Sequence, residues 1–145
     1  MTRDQSGGRR RRFLGVDLGS VRVGLAVSDP LGMLAQPLDV VSLEDAASAI
    51  AERIAELEVD EIIVGMPLNM DGSHGPAADA ATAFADELRA STNLPVSCFD
   101  ERLSTVEAER AMRSAGTSSK GQRGKVDKVA AALVLQAYLD SRRIR

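Results

Sequence analysis

Phe13-Leu14-Gly15-Val16-Asp17-Leu18-Gly19-Ser20-Val21-Arg22-Val23-Gly24-Leu25-Ala26-Val27-Ser28 holds two apolar runs on either side of a Gly-Ser turn. Each run is too short for a helix and reads as a strand. They lie so close that they form a hairpin. Asp29-Pro30-Leu31-Gly32 is turn chemistry. A third strand is expected over Gln36 to Val41, with Pro37 placing it at a sheet edge. One residue is out of keeping: Asp17 sits within an apolar strand, which is costly without a partner.

Outward from this hairpin the pattern changes period. Leu43, Ala47, Ile50, Ile54 and Leu57 step by threes and fours and predict an amphipathic helix, capped by Ser42. Glu61 to Gly65 is a short buried strand, and Met66 to Gly75 a loop. A second helix is expected over Ala77 to Ala90 and a fifth strand over Pro95 to Phe99. Ser104-x-x-Glu107 is a capping box opening a third helix. Gly116 to Gly124 reads as a flexible basic loop, and Val126 to Ser141 as a last, largely buried helix. A three-strand meander followed by alternating helices and strands is an α/β arrangement: a five-stranded mixed sheet flanked by helices on both faces. The later strands run parallel to the first through right-handed crossovers. Ligands in such sheets sit at the carboxyl ends of the parallel strands.

With 145 residues, 44% of them hydrophobic and 27% charged, the chain has the make-up of one globular domain. Residues 1–11 read as a disordered basic arm and 12–145 as the domain. The longest run without a charge, Val129 to Leu139, is too short for a bilayer span of about 20 residues, so no membrane partner is expected. The single cysteine, Cys98, excludes an internal disulfide and a cysteine-based zinc site, and its strand position predicts a buried, inert thiol. No secretory-type apolar segment follows the arginines, so the expected location is cytoplasmic. The net charge is −3, but unevenly spread: residues 1–12 sum to +4, Asp39 to Glu87 to −11, and Gly116 to Lys128 to +3. An anionic ligand would meet the two ends of the chain and avoid the middle.

Two acids fall where such a sheet binds ligands, and a third joins them if the last helix packs its N-terminus there. Asp17 ends the first strand, Glu101 follows the fifth, and Asp127 lies in the first turn of the last helix. Taken singly, Asp127 reads as a helix first-turn acid and Glu101 as an ion-pair partner of Arg102 or Arg22. Converging at one edge, three carboxylates repel and need a cation. Oxygen ligands without Cys or His suit Mg²⁺ or Mn²⁺. Two such ions roughly 4 Å apart can clamp the attacking and leaving oxygens of a phosphodiester.

Four stretches fit one family pattern: Asp17-x-Gly19-x-x-Arg22-x-Gly24; Val64-Gly65-Met66-Pro67-Leu68-Asn69-Met70-Asp71-Gly72-Ser73; Asp100-Glu101-Arg102-Leu103-Ser104-Thr105; and Val126-Asp127-Lys128-Val129-Ala130-Ala131-x-x-Val134-Leu135-Gln136. On these motifs, over about residues 12–141, the chain closely resembles the YqgF/RuvX family. Its members are described as Holliday junction resolvases or as pre-16S rRNA nucleases. The resemblance implies a ribonuclease-H-like fold and assigns the catalytic, metal-binding acids to Asp17, Glu101 and Asp127. It implies a metal-dependent endonuclease acting on structured RNA (pre-16S rRNA) or on branched DNA. Unlike RuvC-type resolvases, the chain has no fourth acid one turn after Asp127, where Ala130 and Ala131 stand. A second ion would therefore be held more weakly.

Arg22 is placed to hold a scissile phosphate or to neutralise Asp17, or to form a structural ion pair with Glu101. Arg102, Lys120, Arg123 and Lys125, with Arg9, Arg10, Arg11 and Arg12, are the candidates for the nucleic-acid backbone. Asp71 and His74 lie in the central loop, where a lone His is expected to be exposed and idle. The four aromatics, Phe13, Phe84, Phe99 and Tyr138, all fall in core elements, so recognition is expected to rest on shape and phosphate. A binding protein without catalysis, and a homodimer cutting a four-way junction symmetrically, stay open as alternatives. A sugar-kinase-like ATPase needs two such domains, and no phosphate-loop motif is present.

Overall fold

The computed structural model describes residues 11–106 and 120–143, with side chains in the second stretch from Asp127 onward. Strands β1 (Phe13–Leu18), β2 (Arg22–Ser28) and β3 (Ala35–Ser42) lead into helix α1 (Ala46–Leu57). Strand β4 (Glu61–Met66), helix α2 (Pro76–Thr92) and strand β5 (Val96–Asp100) follow, then a 3-10 turn (Glu101–Leu103) and a long helix α3 (Lys120–Arg143). The sheet has five strands in the order β3-β2-β1-β4-β5. β1 pairs antiparallel with β2 and parallel with β4, and β4 is parallel to β5. This is the mixed sheet expected from the element order.

Alternation along the strands sorts the core into two layers. Leu14, Val16, Val23, Leu25, Ile62 and Val64 face one way, against Ala46 and Ile50 of α1 and Ala78, Ala81, Ala85 and Leu88 of α2. Phe13, Ala26 and Ile63 face the other way, against Ala131, Ala132, Leu135 and Leu139 of α3. Helices therefore cover both faces. Gly15 makes room for α3: a Cβ there would stand 2.9 Å from the Leu135 Cβ. Among the described residues, no helix is long and apolar enough to cross a membrane.

β3 is the edge strand that Pro37 foretold. Its register slips by one residue opposite Leu25 and Ala26, which pair with Asp39 and Pro37, so Leu38 bulges. The strand runs on to Ser42, and Leu43 donates its N–H to Val21 O. That shifts the first helix. Its cap residue is Asp45, whose N–H reaches Ser42 Oγ at 3.3 Å, and its buried stripe is Ala46 and Ile50, with Ile54 and Leu57 packed against the core. Leu43 and Ala47, expected in that stripe, are exposed. α3 begins at Lys120 rather than Val126. Glycine costs a helix about 1 kcal/mol, and no proline stops this one, so Gly121 and Gly124 do not exclude it. The third helix expected from Ser104 would run mostly through residues 107–119, outside the described residues, as do residues 1–10 of the expected arm.

Arg11, placed in that arm by the sequence, is already part of the fold: its N–H donates to Pro30 O at 2.7 Å. Its guanidinium lies 3.5 Å from Glu61 and 6.0 Å from the centre of the Phe13 ring. Arg142, near the end of α3, lies 4.9 Å over the same ring. Tyr138 donates to Glu61 Oε2 at 3.2 Å. The start of β1 and the end of α3 thus meet on one aromatic ring.

The β2–β3 turn is organised by Asp29, whose carboxylate accepts the N–H groups of Leu31, Met33 and Leu34 at 3.1, 2.7 and 2.7 Å. Partial burial works against this charge, but the backbone donors outweigh it and hold the carboxyl below the ordinary range. Asp29→Ala leaves those donors to water. Thermal unfolding should show a loss of about 1–2 kcal/mol.

Candidate active site

Asp17 lies near the carboxyl end of β1, on the face covered by α3. Gly24 of β2 stands directly opposite it. Gly65 of β4 lies one step beyond the Val16–Val64 pair and so flanks Asp17 on the other side. Neither neighbour has a side chain, and both spaces are filled from above the sheet. A Cβ on Gly24 would stand 2.2 Å from the main-chain oxygen of Asp127, and one on Gly65 would stand 3.2 Å from Glu101 Cγ. Asp127 therefore rests on β2 and Glu101 on β4, with Asp17 between them. Adjacent strands are about 4.8 Å apart, so the three acids occupy a strip two strand spacings wide.

Each acid is carried by a firm element. Asp17 is in the central strand and 5% exposed. Glu101 is 2% exposed and opens the 3-10 turn, where its carbonyl accepts from the Ser104 N–H at 3.0 Å and the Ser104 hydroxyl at 2.7 Å. Asp127 is half-buried on α3. Its carboxylate is held by Arg22, whose Nε donates to Oδ2 at 2.8 Å. That partner lies 105 residues away, and the sequence reading sets Arg22 against Asp17 or Glu101 instead.

Two buried carboxylates and a third beside them, with no Cys or His in the set, fit a hard divalent cation. As the side chains stand, no three of Asp, Glu, His or Cys among the described residues gather round one point. The acids are neighbours, and Arg22 holds one of them toward the rim.

The other candidates divide. Arg102 pairs with Asp100 through Nε and Nη2, the latter at 2.7 Å from Oδ2, and donates to Met70 O at 3.1 Å. It ties the loop after β4 to the end of β5. The Arg102 pairing holds the Asp100 carboxyl below the usual carboxylate range. Arg11 and Arg12 stand at the start of β1, the far end of the sheet from Asp17. Arg12 donates its N–H to Asp60 and Nη1 to Leu57 O, both at 2.9 Å, which is a structural use. Arg9 and Arg10 lie outside the described residues. Lys120, Arg123 and Lys125 fall on the first turns of α3, nearest Asp127, with their side chains undescribed.

In the central loop Asp71 accepts from the Ser73 N–H and hydroxyl at 2.9 and 2.6 Å, and shapes the loop. His74 is half-exposed, 3.9 Å from Asp79. Cys98 is exposed and not in the core, because β5 is the edge strand; partial desolvation still pushes its thiol pKa up. The glycine floor was the feature missed by sequence reasoning. Its signal was present, since Gly24 and Gly65 both lie in the quoted motifs.

Known proteins are similar to this chain. A protein of Anaeromyxobacter sp. (strain Fw109-5), named "Putative pre-16S rRNA nuclease", is 50% identical over 134 residues, which is 90% of this chain and 98% of the relative. One with the same name from Pelotomaculum thermopropionicum is 47% identical over 90% of this chain and 87% of its own length. Among solved structures, Thermus thermophilus RuvC in complex with a Holliday junction substrate superposes with a TM-score of 0.57 at 14% identity, over 92% of this chain and 96% of that one. That likeness shows the fold, which is ribonuclease-H-like. The family model described as "RuvX: Holliday junction resolvase" matches residues 11–141, and the chain belongs to that family.

Proposed function

We propose that this protein is a metal-dependent endonuclease that hydrolyses phosphodiester bonds in structured RNA, in the 5′-end processing of pre-16S rRNA in the cytoplasm. The observation that carries the proposal is the row Gly24–Asp17–Gly65, with Asp127 and Glu101 seated on its two glycines. It concentrates three carboxylates at the carboxyl end of a ribonuclease-H-like sheet, in a family whose relatives bear a pre-16S rRNA nuclease name. Asp17, Glu101 and Asp127 would hold Mg²⁺ or Mn²⁺. Divalent ions bound there would activate water and offset charge on the departing oxygen. The protein's part is positioning: a strand, a 3-10 turn and a helix each bring one acid, and Arg22 stands at the rim where a phosphate would arrive.

Charge distribution supports a polyanionic substrate. Helices α1 and α2 carry Glu52, Glu56, Asp79, Asp86 and Glu87, and they cover the opposite face from the acids of the site. A nucleic acid approaching the α3 side avoids much of that negative charge. Lys120, Arg123 and Lys125 on the first turns of α3 are the proposed backbone contacts, and Arg9 and Arg10 lie outside the described residues.

The second reading is resolution of four-way DNA junctions, favoured by the superposition on junction-bound RuvC. It requires a homodimer that places two sites symmetrically. One assay separates the two: an RNA spanning the 5′ leader and start of the small-subunit rRNA, beside a four-way DNA junction, each with Mg²⁺, Mn²⁺ or EDTA. Metal-dependent cutting of the RNA alone is expected. Paired symmetric cuts in the junction alone would replace the RNA reading with the resolvase, and binding of both without cutting would leave a non-catalytic binding factor.

A further inference from the structure

We propose that Arg22 is a built-in competitor for the metal site: it holds Asp127 outward until a divalent ion takes its place, and so it sets the ion affinity. The inference rests on the metal reading above.

The geometry behind it is the register of β2. Gly24 is opposite Asp17, and the next residue on the same face toward the open end of the sheet is Arg22. The main chain of Asp127 is seated on Gly24, where its oxygen leaves no space for a Cβ. The Asp127 backbone is therefore fixed beside Asp17, and only its side chain can choose a direction. It chooses Arg22, at 2.8 Å. Arg22 lies two residues from Gly24 toward the open end of the sheet, and among the described residues no three acids close round one point. With the main chain seated, the exchange asks only the Asp127 side chain to turn about its own Cα–Cβ bond.

The exchange is also energetically open. The Arg22 and Asp127 side chains are 36% and 25% exposed, so water screens the pair and the guanidinium can be released into solvent. A monovalent guanidinium and a divalent ion then compete for one carboxylate. With Arg22 in place, the entering ion must both break the ion pair and accept a positive neighbour at the rim. Once freed, the planar guanidinium keeps donors that suit a phosphate, so ion binding prepares the rim for substrate.

Mn²⁺ binding, read as the loss of the free-ion signal in electron paramagnetic resonance, tests this without any cleavage. Arg22→Gln and Arg22→Met are neutral, and either should bind Mn²⁺ roughly 3–10-fold more tightly than the parent at low salt, by loss of one ion pair and one repulsion. Arg22→Lys keeps the charge and should stay near the parent. A parent with no saturable Mn²⁺ binding that Asp17→Asn removes would overturn the metal reading and the proposal together. Asp17-dependent binding that the neutral variants leave unchanged or weaken would overturn the proposal alone, and make Arg22 a positioning group for Asp127. The parent supplies a second measurement if the neutral variants do not fold. In a ¹⁵N-labelled sample the Arg22 Nε–H should be protected from exchange without Mg²⁺ and lose that protection at saturating Mg²⁺. Protection unchanged by Mg²⁺ would count equally against the competitor role.

Discussion

Asp17→Asn should abolish cleavage and leave the fold intact. The amide has the shape of the carboxylate, and burying it costs less than burying a charge. Its neighbours across the strands, Gly24 and Gly65, present no side chain for the amide to displace. The melting temperature should therefore stay within about 2–4 °C of the parent, the shift that 1 kcal/mol produces in a domain of this size. Activity behaves otherwise. Asp17 is the middle member of the three acids, and without its charge neither Asp127 nor Glu101 has a carboxylate partner one strand away. Removing a group that supports charge in the transition state costs at least about 10²–10³-fold, and here it also removes an ion ligand. The check is a single-turnover rate on the RNA substrate beside a thermal melt. A variant that cuts at the parent rate would take Asp17 out of the reaction and with it the site described above.

Among the described glycines, Gly24→Ala should be the most damaging addition of one methyl group. The added Cβ would lie 2.2 Å from the Asp127 oxygen, 2.6 Å from its carbonyl carbon and 3.2 Å from the Lys128 nitrogen. All three are main-chain atoms and cannot rotate aside, so α3 must lift from β2. Overpacking of this kind costs about 3 kcal/mol, the upper part of the usual range because backbone is what must move. That corresponds to a fall of roughly 6–12 °C in melting temperature. Cleavage by the fraction that remains folded should fall further, since the lifted residue is Asp127 itself. A melting temperature within 2 °C of the parent, by the same scale, would mean that the helix is not seated on the strand so closely.

Much of this architecture was legible because it is local. The β1–β2 hairpin follows from two apolar runs and a two-residue turn, and the edge position of β3 follows from Pro37, which has no N–H to offer a neighbour. Asp17 stood out because a carboxylate in an apolar strand is conspicuous, whereas Glu101 and Asp127 were drawn in by their place at the same sheet end and by the family motifs. What was missed depends on partners distant in sequence. Leu43 matches the helical stripe, yet it is taken by the end of β3 before the helix can begin. Cys98 sits in a strand as expected, but edge or centre is decided by sheet order and not by the strand's own residues. Arg22 and Asp127 meet only because α3 crosses β2, and no local pattern announces that crossing.

The meeting of Arg11 and Arg142 on the Phe13 ring has a practical corollary. Both described ends of the chain emerge at the edge of the sheet opposite the acids. A fluorophore attached at Arg11 or Arg142 would sit at the end of the sheet away from the proposed site. The same closeness makes the molecule a candidate for circular permutation: a short linker could join the two ends, and new ones could be opened in the exposed loop around Met70, which is 90% exposed.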